Sequence, residues 1–137
     1  MKINLMTDYA IRIICAIYEN EKGVVTSNYI SKQEEIPHGV IMKVLRELRE
    51  KSIVVSHQGR GEVVGGYALG KSMKEITMLE IIETMEGVIA LENIRNKSNS
   101  KSLTMASDII LKEYQRLSKV LREEMKKRSL YEILMLD

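Results

Sequence analysis

Apolar residues in this chain recur first at helical spacing, then in short runs separated by glycines, then at helical spacing again. Over 7–21, the residues Tyr9, Ala10, Ile11, Ile13, Ile14, Cys15, Ala16, Ile17 and Tyr18 crowd more than one face of a helix, which predicts burial from two sides. Asp8, with Thr7, is expected to cap this helix and to interact favourably with its dipole. A short second helix is predicted over 27–35, because Thr26, Ser27 and Asn28 offer side chains that accept the first backbone N–H groups. Ile36-Pro37-His38-Gly39 then breaks the periodicity, and Pro37 suits the first turn of a third helix over 38–52. There Val40, Ile41, Val44, Leu45 and Leu48 form the apolar stripe, leaving His38, Met42, Lys43, Arg46, Glu47, Arg49 and Glu50 mostly on other faces.

Beyond it, Ile53-Val54-Val55 and Tyr67-Ala68-Leu69 are β-type runs on either side of a glycine-rich connection over 59–66, the signature of a hairpin. Thr77-Met78-Leu79-Glu80 is a capping-box pattern that opens a helix over 77–86, which Gly87 stops. The segment 95–102 is polar, rich in Asn and Ser, and is expected to lack fixed structure. From 103 to 128, Leu103, Ala106, Ile110, Tyr114, Leu117, Leu121 and Met125 recur every three or four residues, the seam of a coiled-coil-like pair. A helix of this length, roughly 35–40 Å, is too long for so small a domain to bury. Homodimerisation is therefore expected, with Ile110, Tyr114, Leu117, Leu121 and Met125 at the interface. The expected organisation is a domain over 1–87, a flexible connection over 88–102, and a dimerisation helix with a C-terminal tail over 103–137.

Two short helices followed by a hairpin is the order of a winged helix-turn-helix, so the fold class is mostly α with a small β-hairpin wing (α+β). The third helix fits a major groove of duplex DNA, and a basic loop beside it can reach the electronegative minor groove. Candidate DNA contacts are Ser27, Asn28 and Tyr29 toward phosphates, His38, Gly39 and Met42 near the helix start, Lys43, Arg46 and Arg49 along it, and Arg60 on the wing. Net charge is only +2, from 21 Lys+Arg against 19 Asp+Glu, so attraction to a polyanion rests on local clustering. Between His38 and Arg60 five basic residues stand against two acidic ones, and that excess makes binding salt-dependent.

Four segments in order carry a family resemblance: Met1-Lys2-Ile3-Asn4-Leu5-Met6-Thr7-Asp8-Tyr9-Ala10-Ile11-Arg12, Leu45-Arg46-Glu47-Leu48-Arg49, Gly65-Gly66-Tyr67-Ala68-Leu69 and Ile76-Thr77-Met78-Leu79-Glu80-Ile81-Ile82. Over nearly its whole length the chain resembles the Rrf2 family of bacterial transcription regulators. That resemblance implies a homodimeric winged-helix repressor or activator with a long dimerisation helix after the wing. Many members hold an iron-sulphur cluster through three cysteines in the connection before that helix, and in some nitric oxide-sensing relatives an acidic residue matching Asp8 is a further ligand. Here residues 91–102 contain no cysteine, and one thiol, Cys15, cannot supply three thiolate ligands. No cofactor or metal site is expected, and Cys15 reads as a small buried hydrophobe. The wing also differs from the compact, proline-containing turn usual in the family: Gly59-Arg60-Gly61-Glu62-Val63-Val64-Gly65-Gly66 is longer and lacks the proline.

These readings point to a sequence-specific, homodimeric transcriptional regulator, expected to be a repressor that binds an imperfect palindrome. An unidentified small-molecule effector is expected between the first helix, the long helix and residues 86–95. The alternative is a dimeric protein-binding adaptor, or an effector-dependent sensor, that has lost autonomous DNA binding. An enzyme is not expected: the glycines lie in a hairpin rather than before a helix, and no nucleophile and base fall into a recognisable pattern. With no apolar run near 20 residues, no secretory pattern and one cysteine, the expected location is cytoplasmic.

Overall fold

Helix α1 (Leu5–Glu19) starts two residues before the sequence pattern suggests, because its cap is Asn4 and not Thr7 or Asp8. Asn4 Oδ1 accepts the Met6 N–H at 3.1 Å. Thr7 is fully buried, where its hydroxyl donates to Glu86 Oε2 at 2.7 Å, and Asp8 pairs across one turn with Arg12 at 3.8 Å. The computed structural model describes residues 4–61, 65–88 and 104–136. Val63 and Val64 of the wing, the polar segment 95–102 and Leu103 lie outside the described residues.

Helix α2 (Ser27–Glu34) is capped by Thr26, whose hydroxyl accepts the Tyr29 N–H at 3.1 Å, and it ends where Glu35 turns left-handed at φ 55°. Helix α3 (His38–Glu50) begins after Pro37 and buries Ile41, Val44, Leu45 and Leu48. The wing follows as strands β1 (Val54–His57) and β2 (Gly66–Leu69), antiparallel with Val54 opposite Leu69 and His57 opposite Gly66. Helix α4 (Met78–Glu86) is capped by Thr77, which accepts the Glu80 N–H at 3.2 Å, while the Glu80 carboxylate pairs with Lys71. Helix α5 (Met105–Met125) has no buried residue, and a short α6 (Leu130–Leu134) completes the described chain.

One apolar core joins these pieces: Ile13, Ile14 and Ile17 of α1, Ile30 of α2, the inner face of α3, Ile53 and Val54 at the wing base, and Ile81 of α4. Two contacts in it are between residues distant in sequence. Val25 and Tyr67 exchange both backbone hydrogen bonds, at 2.9 and 2.7 Å, so Val25 adds a third strand position to the wing sheet. At the other end, the Leu130 N–H donates to Ile76 O at 2.8 Å, the Tyr131 N–H donates to Met73 O at 3.1 Å, and Leu130 is buried in the same core. The residues read from sequence as a C-terminal tail therefore return to the winged-helix core.

Val25 approaches Gly66 so closely that a Cβ there would collide with the Val25 carbonyl. Gly66→Ala must push the bridge apart or twist β2, which is expected to cost about 1–3 kcal/mol. Thermal unfolding followed by circular dichroism should show a lower midpoint; an unchanged midpoint would mean the bridge contributes nothing to stability.

Candidate nucleic-acid interface

The inner face of α3 is buried, and the opposite side of the helix carries Gly39, Met42, Lys43, Arg46 and Glu50, with His38 and Arg49 at its edge. All seven are exposed. Asn28 and Tyr29 at the start of α2 are exposed as well, whereas Ser27 is half-buried because its Oγ lies 2.9 Å from His38 Nε2. That hydrogen bond ties together the N-termini of α2 and α3, so seven of the ten candidate contacts flank or follow one joint, with Arg46 and Arg49 further along α3. Arg60 is exposed on the described arm of the wing, beyond the β1 end at His57.

Charge on this face is uncommitted. Among the described residues, Lys43, Arg46, Arg49 and Arg60 take part in no ion pair. On α5 and just past its end, by contrast, Arg116 pairs with Glu113 at 2.5 Å, Lys126 with Glu123 at 2.9 Å and Lys127 with Glu124 at 2.8 Å. The cations of α3 are thus free of direct pairing, with Glu47 and Glu50 of the same helix offsetting part of their field.

A second surface lies along α5. Ile109, Ile110, Tyr114, Leu117 and Val120 are 48–61% exposed, a contiguous apolar stripe on one side of the helix. The other side faces its own chain through half-buried Leu111, Gln115, Ser118 and Arg122, and Arg122 Nε pairs with Glu83 Oε1 of α4 at 2.8 Å. Three of the five seam residues expected from sequence, Ile110, Tyr114 and Leu117, sit in the stripe, while Leu121 and Met125 are half-buried beside the inner side. Ile109 and Val120 were missed because a seam phased on Leu103 and Ala106 runs to one side of both. Their separation of three full turns is the signal that would have found them.

Cys15 is half-buried in α1, and burial pushes its thiol above the ordinary range, with the charges of Glu19 and Glu34 adding to the effect. A raised thiol holds little thiolate at neutral pH, so alkylation by iodoacetamide should be slow there and should accelerate as pH rises. Alkylation in the native chain as fast as that of free cysteine would contradict this. His38 and His57 lie on different elements, and among the described residues no three His, Cys, Asp or Glu side chains are placed to hold a metal ion.

The open hollows among the described residues include two of about 500 Å³. One is lined by Tyr18, Leu69, Lys71, Met73, Lys74 and Tyr131; the other lies between the end of α1 and the start of α2. Neither touches α5, and residues 89–95, on which the expected effector pocket draws, lie outside the described residues.

Comparison with known proteins agrees with this arrangement. The model of the Rrf2 family, described as an iron-dependent transcriptional regulator, matches residues 3–135. Over 91 residues, 66% of its length, the chain is 28% identical to a protein designated an HTH-type transcriptional regulator in Mycobacterium tuberculosis (strain ATCC 25618 / H37Rv); it spans about half of that relative, 55%. Among solved structures it is similar to CymR, the global cysteine regulator of B. subtilis, with a TM-score of 0.72 at 21% identity, covering 100% of this chain and 98% of that one. It is also similar to T. potens IscR, with a TM-score of 0.70 at 18% identity, covering 98% of this chain and 87% of that one. At these identities the two structures establish the fold: a mostly helical winged helix with a two-stranded hairpin.

Proposed function

The chain belongs to the Rrf2 family of transcriptional regulators, which are not enzymes, and on that premise we propose that it binds specific duplex DNA as a homodimer. The observation that carries this reading is the outer face of α3: exposed, basic, free of ion pairs, and held by a rigid core immediately before a wing. Lys43, Arg46 and Arg49 are placed to reach phosphates and base edges, and Arg60 to reach a neighbouring groove. Asn28, Tyr29 and the Ser27–His38 pair lie at the helix starts, where phosphates are bound readily.

The apolar stripe of α5 supports pairing with a second copy, since exposed apolar area of that length on one helix is stabilised by covering it. Two copies related by a two-fold axis present two α3 helices, which calls for an imperfect palindrome of half-sites one or more helical turns apart. Occlusion of a promoter by such a dimer makes it a repressor.

The family description names iron, but the donor chemistry of this chain does not fit a cluster held by thiolates. Its single cysteine is half-buried in α1 with a raised thiol, and the connection over 91–102 has none. Regulation through a small-molecule effector, acting by different affinity for DNA-competent and incompetent arrangements, fits this donor set better.

No helix of the described residues is long and apolar enough to cross a membrane. Nuclease footprinting tests the proposal: a colourless protein should protect two half-sites in successive major grooves upstream of the genes it controls. One isolated protected half-site, or none, would contradict the two-fold arrangement.

A further inference from the structure

The outer face of α3 carries a side chain at every position except Gly39, and the fold gives no reason for that gap. A Cβ built at Gly39 would meet nothing within 4 Å, and its backbone is not left-handed. The other glycines with described surroundings each have a cause. Gly23, Gly61 and Gly87 adopt positive φ, while Gly65, Gly66 and Gly70 are pressed by backbone atoms where a side chain would stand. Gly39 has neither cause, and even in the first turn of α3 glycine is less favourable than alanine because more backbone entropy is lost on folding. A residue that weakens its own helix with no structural return is the mark of a contact made with something else.

What lies around the gap fits the partner proposed above. The Ser27–His38 hydrogen bond fixes the adjoining helix starts, and exposed Met42 and Lys43 stand one turn further on the same face. Resting on the DNA-binding reading above, we infer that Gly39 is where the duplex packs directly on the α3 backbone. A side chain there would hold the helix away from the groove and shorten the reach of Met42, Lys43 and Arg46. Stability of the fold and affinity for DNA should therefore respond to this position in opposite directions.

The test compares the native chain with Gly39→Ala and Gly39→Leu, and with a Lys43→Ala/Arg46→Ala control, on duplexes from the region upstream of its own coding sequence. Gly39→Ala should unfold about 2–5 °C higher than the native chain. Its affinity for the preferred duplex should nevertheless fall about tenfold, and that of Gly39→Leu further, as expected when a close contact is obstructed. Loss of binding by the control with native affinity in Gly39→Ala would overturn this inference and leave the DNA reading intact. A lower unfolding temperature for Gly39→Ala would overturn it as well, because the glycine would then serve the fold. A native chain with no preference for any duplex would remove the DNA reading, and this inference with it.

Discussion

Replacing Lys43 and Arg46 together by Ala should lower affinity for a specific duplex by about 100-fold or more, while the fold and the proposed dimer persist. Both side chains are exposed on the face of α3 opposite Ile41, Val44, Leu45 and Leu48, so their removal leaves the core untouched. Neither takes part in an ion pair among the described residues, so no acidic partner is orphaned. An arginine bidentate to a base edge is worth about 1–3 kcal/mol of discrimination, and each lysine on a phosphate adds to the salt dependence. A symmetric dimer loses each contact twice. Fluorescence anisotropy gives the affinity, and circular dichroism with size-exclusion chromatography gives the controls. Unchanged affinity would remove both residues from the interface.

The second large effect is expected on assembly. Ile110→Glu combined with Leu117→Glu should convert the proposed dimer to a monomer at micromolar concentration. Helix α5 is about 30 Å long and buries none of its residues within its own chain, yet it exposes Ile109, Ile110, Tyr114, Leu117 and Val120 along one side. Placing carboxylates at two positions of that stripe replaces apolar burial with a desolvation cost in each copy. The protomer itself should fold, because both positions are exposed in the single chain and Arg122–Glu83 still fixes α5 to α4 at 2.8 Å. DNA affinity should fall with assembly, since two half-sites bound by one dimer gain from effective concentration. Sedimentation velocity showing an intact dimer would place the interface elsewhere.

Local chemistry made most of the fold legible. Thr26 and Thr77 announce helix starts, Pro37 opens α3, and β-type runs around clustered glycines announce the hairpin. What escaped was set by distance along the chain. Asn4 takes the cap of α1 while Thr7 lies inside the helix and bonds to Glu86, 79 positions away, a contact that no local pattern reports. Val25 reads as the approach to a helix, and only the close passage of Gly66 makes it a strand position. The return of Leu130 to the core depends on backbone bonds to Met73 and Ile76, again invisible to periodicity. Within the candidate interface, spacing placed the α3 face well because one stripe of buried residues defines its opposite. The hydrogen bond between Ser27 and His38 was beyond it, since it needs the angle between two helices.

The central claim is that this chain recognises duplex DNA through α3, and anisotropy across a salt series tests it most directly. The purified protein would be titrated onto duplexes from its own upstream region and onto scrambled duplexes of equal length. The account predicts tighter binding to one native duplex, and an affinity that falls steeply with salt as phosphate counterions are released. Equal binding to native and scrambled duplexes by an intact dimer, or none at low salt, would contradict it and favour a protein-binding adaptor.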